Sequence, residues 1–140
     1  MNMSMYNRLG NAGNRYQGSY KRVLCVCSAG LLRSPTAAFV LASDPYNFNT
    51  RSVGITTEFA LIPIDLVHIF WANEIVVMDS YQERVVKDLI AEIDWQVLSD
   101  TIVTPVVYNL NIPDTFSYRN PELIELIKTR YDEATGVKTF

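Results

Sequence analysis

Cys27 and Arg33 stand six positions apart, with Ser34 and Pro35 directly behind the arginine. Ahead of them Val23, Leu24, Cys25 and Val26 form a short apolar run. A cysteine leaving the end of a buried strand, followed by a glycine-bearing loop and a helix start, can gather backbone N–H donors around one point and so cradle an anion. Ser34 suits a helix N-cap and Pro35 the first helical position, which aims the positive end of that helix at the same point. The thiolate of Cys27 is the nucleophilic form of the residue. Arg33 adds a planar fork that can grip two phosphoryl oxygens at once, a geometry lysine lacks. The Ser34 hydroxyl can donate to the thiolate as it attacks and as it leaves. Cys27 is therefore the candidate nucleophile, and Ser28, Ala29, Gly30, Leu31, Leu32, Arg33 and Ser34 the candidate phosphate-binding residues. The plainer alternative is a strand, a turn at Gly30 and a helix around an inert cysteine.

Displacement at a phosphate ester expels an oxyanion, and protonating it typically gains about 10²–10⁴ in rate. Asp114, in the run Ile112, Pro113, Asp114, Thr115, is the candidate general acid and later the base that activates water. Its alternative reading is a turn aspartate after proline. Phe116 and Tyr118, with Phe59 as a third, can wall an apolar slot for an aryl leaving group, which would favour phosphotyrosine over phosphoserine. Plain packing is the competing explanation of these aromatics.

The elements that must carry these residues follow from apolar patterning. Lys21 to Val26 reads as a first buried parallel strand. A helix from about Ser34 to Leu41 or Ala42 should stop ahead of Asp44 and Pro45, because proline disfavours helix in the residue before it. Asn49 to Ile55 reads as a strand, Pro63 to Trp71 as a largely buried helix, and Glu74 to Met78 as another strand. Asp79 or Ser80 caps a helix from Tyr81 to Ile93, with Asp79 read as a cap rather than a catalyst. Thr101 to Val107 is a β-branched fourth strand, and Asn120 and Pro121 start a last helix ending near Arg130 or Tyr131. The alternation predicts an α/β fold, a single domain with a four-stranded parallel sheet and helices on both faces. The loops after Cys27, Ser52, Asp79 and Tyr108 should then meet beyond the carboxyl ends of the strands. Residues 1–20, rich in Asn, Gly, Ser and Tyr, read as a flexible arm to the domain of residues 21–140.

A chain of 140 residues, about half of it hydrophobic, can bury a core without staples. No apolar run reaches bilayer length and the start is polar, so a cytoplasmic protein without a membrane partner is expected. Cys25 and Cys27 are the only cysteines, too close in sequence to staple distant elements. With one histidine, His68, they make a poor metal set, and no metal or other cofactor is expected. His68 itself reads as structural, and as the lone histidine it makes Ser-His-Asp chemistry unattractive. Residues 1–43 hold five basic and no acidic residues, and the remainder seven basic and fifteen acidic, for a net charge of −3. The basic part contains the anion site, and the acidic remainder argues against nucleic acid as a partner.

The run from Cys27 to Pro35 resembles the signature of the low-molecular-weight protein tyrosine phosphatases. The run from Leu32 to Ala37, with Ile112, Pro113 and Asp114 and then Pro121, Glu122 and Leu123, is similar to a compact bacterial and phage branch of that family. The resemblance spans roughly Lys21 to Tyr131. It implies a low-molecular-weight phosphatase-like fold and a cysteine-dependent protein tyrosine phosphatase acting through a cysteinyl-phosphate, with Asp114 at the acid-loop position. It also implies that Ser52 braces the phosphate loop, beside the reading of an ordinary strand serine, and that Asp79 borders that loop. The implied partner is a phosphotyrosine protein or a small aryl phosphate. Departures from the family are Ala29, Gly30, Leu31 and Leu32 in place of Gly-Asn-x-Cys, and Ala38 in place of a glutamate. Gly30 can still take the left-handed conformation, but the bracing of the missing asparagine is lost. Two other function classes stand beside this one. A thiol-dependent arsenate reductase would need an external thiol, and a non-catalytic phosphate- or phosphotyrosine-binding module would explain the altered loop.

Overall fold

The computed structural model describes residues 20–28, 33–55, 63–95, 103–113, 115 and 119–136, together with the backbone of Asn11 and Ala12. Its strands are β1 (Asn11–Ala12), β2 (Arg22–Cys27), β3 (Asn49–Gly54), β4 (Glu74–Val77) and β5 (Val106–Asn109). Its helices are α1 (Arg33–Ala42), α2 (Leu66–Trp71), α3 (Ser80–Ala91) and α4 (Pro121–Thr135). The sheet order is β1-β3-β2-β4-β5. Strands β2 to β5 are all parallel, as the alternation of strands and helices predicts. The short β1 adds an antiparallel fifth strand on β3, inside the stretch read from sequence as an arm.

Both faces of the central strand are buried, which is why its sequence is continuously apolar and does not alternate. Val23, Cys25 and Cys27 point into one core with Leu41 of α1 and Leu123, Ile127 and Tyr131 of α4. Leu24 and Val26 point into the other, with Ile69 of α2 and Val86 of α3. Helices thus cover both faces of the sheet. β4 divides the same way, Val76 to the first core and Ile75 and Val77 to the second.

Local chemistry sets the helix ends. The Asp79 carboxylate accepts the Gln82 N–H at 2.8 Å and starts α3. Asn120 accepts the Glu122 N–H, with Pro121 behind it, at the start of α4. That helix runs a turn past the expected Arg130 or Tyr131 and stops at Gly136, whose left-handed φ of 73° is adopted most easily by a residue without a Cβ. α2 is shorter than expected. It begins at Leu66 because Asp65 caps it, with His68 closing a capping box from the third position. The fourth parallel strand lies later than the expected Thr101 to Val107. Pro105 has no N–H to give the ladder, and pairing opens with the Val106 N–H on the Asn73 carbonyl.

Candidate functional site

Cys27 closes β2, the strand flanked by β3 and β4. From β2 the chain turns into α1 on one face of the sheet, and from β4 it turns into α3 on the other. Neighbouring strands whose connections diverge leave a crevice beyond their carboxyl ends, the place where open α/β sheets take their ligands. Cys27 lies at that crevice.

Its Sγ stands 3.1 Å from the Ser34 hydroxyl, and both side chains are buried. With the sulfur ionised, the hydroxyl is the donor of this pair. Sequence places Ser34 at the N-cap, whereas α1 already begins at Arg33 and Ser34 falls in its first turn. At the strand ends the single hydroxyl hydrogen has two alternative acceptors, the Cys27 sulfur and, at 3.4 Å, the Val53 carbonyl.

Arg33 is only 3 % exposed. Its Nη1 donates to the Ile112 carbonyl at 2.8 Å and lies 3.9 Å from Asp79 Oδ2. A buried guanidinium needs such acceptors, since stripping water from it is costly. One backbone turn and one hydrogen bond bring the Ile112 carbonyl there. Asn111 takes a left-handed φ of 53°, which asparagine tolerates. The Ile112 N–H donates to the Met78 carbonyl at 2.8 Å. The strand-end segments after β2, β4 and β5 therefore converge on the arginine. Asp79 holds its expected cap and also faces Arg33.

Ser52 is buried in β3, in register with Cys25 rather than with Cys27, whose neighbour is Gly54. Two residues before it, Thr50 bonds the Ala38 carbonyl of α1 at 2.8 Å. Strand periodicity therefore turns Ser52 to the same face as α1. Ala29, Gly30, Leu31, Leu32, Phe59, Asp114, Phe116 and Tyr118 lie outside the described residues.

Three contributors escape the sequence reading. The Ile112 carbonyl is backbone, which no residue type announces. Thr36 accepts the Arg119 N–H at 2.9 Å and ties the segment after residue 118 to α1. Gln82 is fully buried and donates to the Ser28 hydroxyl at 3.3 Å. Its signal was present as Asp79-x-x-Gln82, the spacing of a capping box after a strand.

Cys25 is the inert thiol of the pair. Complete burial, with Cys27 nearby, pushes its ionisation well above the ordinary value, so it stays neutral and unreactive. Among the described residues there is no group of three or more His, Cys, Asp or Glu that could hold a metal ion. No helix among them is long and apolar enough to cross a membrane. The chain matches no family model, no curated protein and no solved structure.

Proposed function

We propose that the chain is a metal-independent phosphomonoesterase of the low-molecular-weight protein tyrosine phosphatase type. The observation that carries this reading is the Sγ–Oγ contact of 3.1 Å between Cys27 and Ser34 at the carboxyl end of the central strand, beside a buried arginine. A cysteine that only filled space would need neither the hydroxyl nor the guanidinium.

In the proposed reaction the Cys27 thiolate attacks phosphorus in line with the ester oxygen. The S–P bond forms as the P–O bond breaks, and Asp114 gives its proton to the departing oxyanion. Water then attacks the cysteinyl-phosphate, losing its proton to Asp114, and the S–P electrons return to sulfur. Ser34 donates to the sulfur as it leaves. Arg33 grips two of the three equatorial oxygens and balances their charge, a task that gains most in a site with little water. The Ile112 carbonyl holds one guanidinium nitrogen, which leaves the fork little freedom to swing away from the ligand.

The test is hydrolysis of p-nitrophenyl phosphate with EDTA present, wild type beside Cys27→Ser, between pH 5 and 8. The expected outcome is turnover by the wild type, none by the variant, and phosphate binding by both. Equal activity in the two proteins would remove the thiol mechanism. Phosphate binding without turnover in the wild type would favour a binding module instead.

A further inference from the structure

Gln82 is a polar side chain with 0 % exposure that takes no part in the reaction just described. Both ends of its amide are engaged. Oε1 accepts the Met78 N–H at 2.7 Å, and Nε2 donates to the Ser28 hydroxyl at 3.3 Å. The contact to a backbone N–H decides the orientation of the amide, because only the oxygen can accept there. The end facing Ser28 is therefore the donor.

This contact spans the carboxyl ends of the paired strands β2 and β4 and reaches the residue directly after Cys27. The helix start that carries Gln82 also presents Asp79 to Arg33 at 3.9 Å. Ser28 and Arg33, at the two ends of the run that follows the nucleophile, are thus both met by the β4–α3 corner. A buried amide is costly unless both its ends are bonded, and an apolar side chain would fill the same space more simply.

We propose that Gln82 is a positioning residue: by holding the Ser28 hydroxyl from the β4–α3 corner, it fixes the Cys27–Ser28 peptide and so the line along which Sγ meets phosphorus. The inference rests on the thiol-phosphatase reading. Displacement at phosphorus is sensitive to small errors of approach, so a loosened peptide should lower kcat more than it raises KM.

Ser28→Ala removes only the far end of the contact and leaves Gln82 on Met78, whereas Gln82→Met removes both. Each is assayed for kcat and KM on p-nitrophenyl phosphate, and for the pH profile of Cys27 alkylation by iodoacetamide, with Cys27→Ser as the blank. Each single variant is expected to lose roughly 10- to 100-fold in kcat while KM moves less than about threefold. The alkylation profile shifts in both, and the double variant is no slower than the worse single one. A kcat within about twofold of wild type in Ser28→Ala, or multiplicative losses in the double variant, overturns the proposal. Should Gln82→Met not fold, Ser28→Ala decides alone. If the wild type hydrolyses no aryl phosphate, the phosphatase reading falls. Alkylation then judges Gln82, with shifted profiles supporting its role and unchanged profiles overturning it.

Discussion

Arg33 keeps its charge where water hardly reaches, and two other parts of the chain offer it acceptors. The Ile112 carbonyl is a neutral acceptor at 2.8 Å, while Asp79, 41 % exposed at its side chain and 3.9 Å away, offers a weaker, partly screened attraction. Of these two, the Ile112 carbonyl therefore holds the guanidinium more closely than Asp79 does. Arg33→Lys keeps the charge but not the fork. It is expected to lower kcat/KM for p-nitrophenyl phosphate by at least about 10²-fold, the usual scale for losing a transition-state donor. Kinetics near wild type would make this arginine structural. The two cysteines show the same dependence on surroundings: one residue type, two positions apart, but Cys25 is sealed in the core while Cys27, at the strand end, meets the Ser34 hydroxyl.

At the scale of the element, the short α2 depends on its start. Asp65 accepts the His68 N–H at 3.0 Å, and His68 Nδ1 in turn accepts the Asp65 N–H at 3.1 Å. That second bond requires an unprotonated Nδ1. Burial holds the ionisation of His68 below its ordinary value of 6.5; Asp65 opposes the shift and Arg51 reinforces it. The unfolded chain consequently binds the proton more readily than the folded one, so stability rises with pH across this range and is lost as pH falls below about 6.5. Glutamine also closes capping boxes but does not titrate. His68→Gln should therefore retain the helix and flatten the pH dependence of Tm between pH 7 and 5, a change of a few degrees readable by thermal denaturation. An unchanged slope would place the titration elsewhere.

Across the whole molecule, the candidate site and a buried polar group occupy opposite ends of the sheet. The carboxyl ends carry Cys27 and its neighbours. The amino ends carry a closed polar group, in which Glu74 at the start of β4 accepts from Tyr131 of α4 and from Lys21 ahead of β2, each at 2.8 Å. Burial and the bond to Glu74 push the ionisation of Tyr131 far above its ordinary value, so it remains a phenol donor. Tyr131→Phe leaves the buried carboxylate one donor short. It is expected to cost about 1–3 kcal/mol in chemical denaturation while leaving kcat at 25 °C unchanged. A catalytic defect of the same size would mean that the two ends of the sheet are coupled.

The sequence by itself determined the order of the parallel strands and helices, and the residues at some of their ends. Apolar runs bounded by Gly, Pro and Asp are local signals, and the β2 run, the Asp79 cap and the Asn120–Pro121 start are all legible without a fold. It also determined that Cys27, Ser34 and Arg33 lie within one strand–loop–helix unit, since their spacing is short. Only the tertiary structure decided that β2 is flanked by β3 and β4, for strand order depends on which buried faces match across the whole chain. It alone brought the Ile112 carbonyl to Arg33 and the Gln82 amide to Ser28. Those contacts join residues 79 and 54 positions apart, one of them through a backbone carbonyl whose direction no residue type encodes. Pro105 lies between these cases: its missing N–H was readable, but where the last strand begins depended on the neighbour with which that strand had to pair.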